Sequence, residues 1–199
     1  MRIGIFGGTF DPPHLGHLIL AMESASQLKI DRILWMVTPT SPLKQNQVIA
    51  PVSTRIQMVR AAIADDPIFE LSTLELERDA PQFSLDTVKE LRHRQPLAEI
   101  YYLIGEDSLQ DLPKWHEPIH FIEEVNSLGV MRRPGDKTNL SMLEEIIPGL
   151  SAKVKYIDAP LLEISSHQIR DRIRQHQPFK YYLTEEVYKM IIELDLYLD

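Results

Sequence analysis

Short apolar runs alternate with amphipathic segments along most of this chain of 199 residues. Most of the apolar runs are too uniformly hydrophobic for strands with one solvent-facing side, and the amphipathic segments repeat at helical spacing. This alternation predicts an α/β fold, namely a Rossmann-like, doubly wound parallel sheet with helices on both faces. The predicted strands are Arg2–Phe6, Arg32–Thr38, Glu99–Ile104, Ser127–Met131 and Lys153–Ile157, with Phe69–Leu76 as a further candidate. The predicted helices between them are Leu15–Leu28, Ser53–Ala64, Ser84–Arg94 and Leu140–Ile147.

Two further amphipathic segments close the chain and predict helices at Ser165–Gln175 and Thr184–Leu194. We therefore expect a single domain over residues 1–199, in which residues 165–199 form a C-terminal helical part. The chain has no run of about 18 apolar residues, so no membrane partner is expected. It begins directly on an apolar run, which argues against a secretory signal.

The composition narrows the possible classes of function. A net charge of −8 argues against broad nucleic-acid binding through a basic surface, although a few cations and backbone N–H groups can still hold a phosphate. The chain has no cysteine, which excludes disulfides and thiolate metal sites. We expect a cytoplasmic protein without a nucleic-acid partner, and its oligomeric state is open.

The segment GGTFDPPHLGH, residues 7–17, follows the first predicted strand. Gly7 and Gly8 favour a sharp turn and a close backbone approach to a ligand, and the Asp-Pro-Pro segment is typical of a helix start. His14 and His17 are three residues apart, so they can share one side of the first helical turn. Free N–H groups, a helix dipole and two imidazoles predict a phosphate site. A simple tight turn and a histidine metal pair are the alternatives.

The same segment resembles the signature of the HxGH nucleotidyltransferase superfamily and, in its extended form, that of bacterial nicotinate-nucleotide adenylyltransferases. This resemblance implies transfer of the adenylyl group of ATP, with Mg²⁺, to nicotinate mononucleotide. The products would be deamido-NAD and pyrophosphate, in NAD biosynthesis. It gives His14 and His17 catalytic roles and places Gly8, Thr9 and Phe10 at ATP. Nicotinamide mononucleotide as the acceptor and a non-catalytic nucleotide sensor remain alternatives.

A second motif, Ile164–Arg170, is similar to the family's I-S-S-T-x-I-R, with His167 in place of the threonine. Ser165 can cap a helix while the glutamine three residues later reaches back to it, in a capping-box arrangement. The resemblance implies that Ser165 and Ser166 bind ATP and that Arg170 is catalytic. A capped surface helix without a ligand is the alternative.

Two motifs in the middle of the chain resemble family motifs that contact the adenosine and the acceptor mononucleotide. The stretch from Gly105 to Trp115 resembles the family's G-x-D…L-x-x-W, which assigns Gly105 and Asp107 to adenosine and Trp115 to stacking on the pyridine ring. Glu106 stands where the family more often has a small residue. Phe83-Ser-Leu-Asp-Thr87 resembles an aromatic-Thr-x-Asp-Thr stretch, which implies that Thr87 faces the nicotinate carboxylate. A core tryptophan and a plain helix start are the alternatives.

Three basic side chains complete the predicted site or lie beside it. The stretch from Pro42 to Asn46 resembles the family's P-x-K loop, which assigns Lys44 to a phosphate as a catalytic residue, although Leu43 replaces the usual histidine. Arg133 is a weaker candidate for ATP phosphate binding. Arg55, at a helix start, is interpreted as a surface charge.

Overall fold

The structure, a computed structural model, describes residues 1–39, 50–64, 66–132, 138–160 and 162–198. Within these ranges six strands form one sheet, and every paired strand is parallel to its neighbour. The strands are β1 (Arg2–Gly8), β2 (Arg32–Val37), β3 (Phe69–Ser72), β4 (Glu99–Gly105), β5 (Ser127–Met131) and β6 (Val154–Ile157). The predicted α/β class and doubly wound sheet are confirmed.

Helices connect these strands. They are α1 (Leu15–Leu28), α2 (Val52–Ile63), α3 (Ser84–Arg94), α4 (Glu106–Gln110), α5 (Pro118–Glu124), α6 (Leu140–Ile146), α7 (Leu150–Lys153), α8 (Ser166–Arg174) and α9 (Glu185–Glu193). All six predicted helices are present, and their ends differ from the predicted ends by no more than a residue. The prediction did not include α4, α5 and α7, because helices of one or two turns are too short to show a periodic pattern.

The strand order β3-β2-β1-β4-β5-β6 reverses direction between β1 and β4. These two strands lie side by side, with Ile3 paired to Ile100. In open parallel sheets, ligands bind beyond the carboxyl ends of the strands at such a switch point. Gly8 is the last residue of β1 and Gly105 the last of β4, so the fold brings two of the predicted motifs to this crevice.

Both faces of the sheet are covered. Leu34 and Met36 of β2 belong to a core shared with α3 and α5, whereas Trp35 and Val37 belong to a second core shared with α1 and α2. The four side chains are each 5% exposed or less. Burial on alternate sides explains why the strand is apolar from Ile33 to Val37, as the sequence predicted.

The C-terminal helices form a third core against α2. Met58 of α2 packs in one cluster with Ile169 and Ile173 of α8 and with Val187 and Ile191 of α9. This contact holds the start of α8 near the opening motif. Among the described residues, no helix combines the length and apolar character needed to cross a membrane.

Candidate active site

The two glycines of the opening motif lie in an extended strand rather than in a turn. β1 continues through Gly8, and neither glycine has a positive φ; the left-handed residue is Phe10, with φ of 50°. A Cβ at Gly7 would lie 2.9 Å from the Tyr102 hydroxyl, and one at Gly8 would lie 3.0 Å from the Phe10 ring. The prediction of a turn at the glycines is wrong: they are needed because neighbouring side chains occupy the space beside the strand.

The two histidines lie on one side of the first turn of α1, as predicted. Their rings stack with centroids 3.6 Å apart, and the His17 ring also meets the edge of Phe10 at 5.0 Å. The backbone N–H of His14, which precedes the helix in extended conformation, donates to Nδ1 of His17 at 3.1 Å. An acceptor role for Nδ1 places the proton of the neutral ring on Nε2, so His17 is oriented as a donor through that atom. Phe10 itself is 2% exposed and supports the ring from the core.

The second motif reaches back to the first. Ser165 caps α8: its hydroxyl accepts from the backbone N–H of Gln168, whose side chain accepts from the backbone N–H of Ser165, so the predicted capping box is confirmed. Ser166 donates its hydroxyl to the Pro12 carbonyl at 2.9 Å. Arg170 donates Nη1 to the Asp11 carbonyl at 2.7 Å and is only 6% exposed. Residues more than 150 positions apart are thus brought together at the crevice.

Asp11 does not cap α1, the role its sequence context suggested, but is buried at 2% exposure. Its Oδ1 accepts from the Tyr197 hydroxyl at 2.6 Å and from the backbone N–H of Ala50 at 3.1 Å. Burial, and then the negative charge of Asp11, raise the pKa of Tyr197 far above its ordinary value, so the hydroxyl stays protonated. Sequence reasoning missed Tyr197, because an isolated tyrosine beyond the last helix carries no motif.

Arg55 is fully buried, and its interpretation as a surface charge is wrong. Its guanidinium donates to four backbone carbonyls, those of Thr9, Thr38, Pro39 and Ala50, at 2.7–3.0 Å. Burial lowers its pKa, while Asp11 acts in the opposite direction. Arg55 therefore joins the loop after β1 to the segments after β2 and before α2.

The predicted adenosine side lies at the end of β4. A Cβ at Gly105 would come within 2.5 Å of Oδ1 of Asp107, so a side chain at residue 105 would displace that carboxylate. Asp107 is exposed in the first turn of α4. Glu106 is turned inward at 4% exposure, where its Oε1 accepts from the backbone N–H of Thr138 at 3.4 Å. The additional carboxylate is therefore buried rather than presented on the surface.

Trp115, the predicted stacking residue, is partly buried. One part of its indole packs on Tyr102 and Phe121, with ring centroids 5.9 and 5.2 Å away. The Tyr102 hydroxyl in turn lies 2.9 Å from Oγ of Ser84, the first residue of α3. The position of Trp115 is compatible with both sequence-based interpretations, a core tryptophan and a residue that stacks on a ligand ring. The indole is anchored in the core and is still partly accessible.

Thr87 occupies a different position from the one its predicted role requires. It is 0% exposed, and its hydroxyl accepts from Arg78 at 2.6 Å and lies 3.1 Å from Oε1 of Glu75. The hydroxyl is therefore engaged inside the protein. Burial raises the pKa of Glu75, which is 3% exposed. Arg78 and Glu75 were not singled out from sequence, since neither belongs to a quoted motif.

The remaining sequence candidates are Lys44, Arg133 and the position of His167. Lys44, with its neighbour Leu43, and Arg133 lie outside the described residues. The substituted His167 is exposed and pairs with Asp171 at 3.1 Å along α8. Within the described ranges, no group of three or more histidine, aspartate or glutamate side chains is arranged to hold a metal ion.

The fold and the meeting of the two motifs define a class of protein. The sequence matches the family model of cytidylyltransferase-like proteins over residues 5–172. A protein of Exiguobacterium sibiricum named "Probable nicotinate-nucleotide adenylyltransferase" is 38% identical and aligned over 99% of both chains. Proteins of the same name from Roseiflexus castenholzii and Bacillus licheniformis are 39% and 38% identical over 98% of both chains. The chain belongs to the nicotinate-nucleotide adenylyltransferase family.

Solved structures share the fold at lower sequence identity. The nicotinic acid mononucleotide adenylyltransferase of Plasmodium falciparum complexed with APC matches with a TM-score of 0.79 and 23% identity, over 98% of this chain and 96% of that chain. The same enzyme complexed with NaAD matches with a TM-score of 0.81 and 22% identity, over 98% and 97%. At this identity the likeness establishes the fold alone.

Proposed function

We propose that this protein transfers the adenylyl group of ATP to nicotinate mononucleotide, which gives deamido-NAD and pyrophosphate in NAD biosynthesis. One observation carries the proposal. Ser166 and Arg170 reach the backbone of the opening motif at the switch point of the sheet, so phosphates placed there would meet both motifs at once. Family membership agrees with this chemistry.

The reaction depends more on alignment of the two substrates than on acid–base catalysis. An oxygen of the mononucleotide phosphate forms a bond to the α-phosphorus of ATP, and the bond to the bridging oxygen breaks, so pyrophosphate leaves with the electron pair. The attacking oxygen is already ionised at neutral pH, so no general base is required. Catalysis then depends on positioning and on donors directed at the developing charge. We assign this to His14, His17 and Arg170, together with Lys44.

The remaining contacts are assigned by position. ATP is proposed to lie along Gly8, Thr9 and Phe10. Phe10 would contact ATP through its backbone, because its ring is buried. Gly105 and Asp107 would contact the adenosine, and Ser165, Ser166 and Arg133 the phosphates. Trp115 would stack on the pyridine ring. The carboxylate would meet backbone N–H groups near Trp115, with Thr87 holding the start of α3 in place from inside.

We propose that Mg²⁺ enters as part of the ATP complex. A magnesium ion commonly binds substrate phosphates with few protein ligands. The described residues offer no three-residue acidic or histidine cluster, which favours coordination by the triphosphate. We further propose that residues 1–199 act as one nucleotidyltransferase domain, since α2 and α9 share a core and Tyr197 contacts Asp11. We also propose that this domain acts in the cytoplasm.

The test is pyrophosphate release from ATP with each of the two mononucleotides, measured in a single turnover and against an acceptor-free control. Donor N–H groups suit a carboxylate, whereas a carboxamide would leave a buried donor unpaired at a cost of about 1–3 kcal/mol. Nicotinate mononucleotide should therefore be preferred by about tenfold or more in kcat/KM. A ratio near one would overturn the acid preference. ATP binding without pyrophosphate release from either acceptor would overturn the enzyme in favour of a sensor.

A further inference from the structure

Tyr197 lies beyond α9 and yet contacts the opening motif. Its hydroxyl donates to Oδ1 of Asp11 at 2.6 Å, and the backbone N–H of Ala50 donates to the same oxygen at 3.1 Å. The raised pKa of Tyr197 keeps the hydroxyl a donor across the working pH range. One oxygen of the buried carboxylate is therefore held by two donors, neither of which carries a charge.

Arg170 lies beside this carboxylate but is not hydrogen-bonded to it. Its Nη1 donates to the main-chain carbonyl of Asp11 at 2.7 Å but lies 3.8 Å from Oδ2. Oδ2 of Asp11 and Nε of Arg170 are both buried and have no hydrogen-bond partner among the described residues. Guanidinium and carboxylate groups form strong bidentate pairs when their planes can align. The observed geometry falls short of such a pair.

We propose that Tyr197 is a positioning residue for ATP. By fixing Oδ1 of Asp11, its hydroxyl prevents the carboxylate from rotating into a bidentate pair with Arg170. The guanidinium then keeps donor capacity for a phosphate of ATP. The inference rests on the proposed function in one respect, that Arg170 binds ATP phosphate. It assigns a role in substrate binding to a residue that lies 186 positions from Asp11 in the sequence.

Titration calorimetry with ATP and, separately, with nicotinate mononucleotide tests the proposal on the full chain. Tyr197→Phe removes the hydroxyl and keeps the ring, and Tyr181→Phe, whose side chain is 86% exposed, is the matched control. Tyr197→Phe should weaken ATP binding by about fivefold or more, since Arg170 then pairs with Asp11. Mononucleotide affinity should stay within about twofold, and the control should match the wild type for both ligands.

A double-mutant cycle separates positioning from a general loss of structure. In an Arg170→Gln background, Tyr197→Phe should change ATP affinity by less than about twofold, because its effect passes through Arg170. Asp11→Asn is a second background in which Tyr197→Phe should leave ATP affinity unchanged, since a neutral carboxamide has one acceptor oxygen and cannot form a bidentate ion pair with a guanidinium. An undiminished effect in either background would overturn the proposal.

Three other outcomes would also overturn it: equal losses for ATP and mononucleotide, unchanged ATP binding, or a Tyr197→Phe protein that does not fold. Each would show that the hydroxyl supports the fold generally or not at all. Because these measurements record binding and not turnover, they can be interpreted even if the wild type releases no pyrophosphate. Failure of the proposed reaction and failure of the Tyr197 role are thus distinguishable.

Discussion

Replacement of Arg55 should destabilise the protein more than any surface substitution. The side chain is 1% exposed and donates from Nε, Nη1 and Nη2 to four carbonyls. A hydrogen bond to a charged group contributes about 1.5–3 kcal/mol, but contributions that share one side chain do not add. Arg55→Met leaves four carbonyls without their donor, at a cost of about 1–3 kcal/mol for each unsatisfied group; because these costs do not simply add, their total is about 3–5 kcal/mol. We expect a loss in this range.

The assay is urea denaturation together with a thermal melt. For a chain of this size about 2–4 °C is lost per kcal/mol, so the melting temperature should fall by roughly 6–20 °C. Arg60→Met is the matched control, since Arg60 lies on the same helix and is exposed. Arg55→Lys should recover little, because one ammonium cannot span four carbonyls as a planar guanidinium does. A free energy of unfolding within about 1 kcal/mol of the wild type would refute the reasoning.

Three further outcomes are expected. His17→Ala should lower kcat/KM by about 10²-fold or more at an unchanged melting temperature. His167 is exposed, so the control His167→Ala should alter neither quantity. Normal turnover in a folded His17→Ala protein would show that His17 has no catalytic role. Trp115→Ala should raise KM for both mononucleotides by about two- to tenfold, because stacking on the pyridine ring is lost. Unchanged KM values in steady-state kinetics would show that Trp115 is a core residue only. Burial raises the pKa of Glu75 above its ordinary 4.5, so ionising it opposes folding. Wild-type stability should therefore decline relative to Glu75→Gln as urea denaturation is repeated from about pH 5 to pH 8; a constant difference would contradict this.

The sequence predicted the sheet well for a physical reason. Strands covered on both faces are apolar at successive buried positions, as the stretch Ile33–Val37 is, so such a segment is not mistaken for a one-sided strand. The capping box at Ser165 was also predictable, because it depends on residues three positions apart. Local patterns therefore fixed both the strands and the start of the second motif.

Features that depend on distant parts of the chain escaped prediction. Arg55 resembles any basic residue at a helix start, and only the folded loops supply its four carbonyls. Thr87 was assigned to a ligand, but Arg78 and Glu75 engage its hydroxyl inside the protein. The need for glycine at residue 7 comes from Tyr102, which arrives from β4. None of these contacts leaves a periodic or short-range signal.

The contact between Tyr197 and Asp11 also has a consequence for the order of folding. A ribosome delivers the opening motif long before α8 and Tyr197, so two of the partners of Asp11, Arg170 and Tyr197, are missing while the strands of the sheet are made. Contacts of such sequence separation carry a large loop-closure entropy and form late. The central strands can pair before then, but the proposed phosphate site cannot be complete. Nascent chains should thus acquire ATP affinity abruptly, and only after Tyr197 has been added.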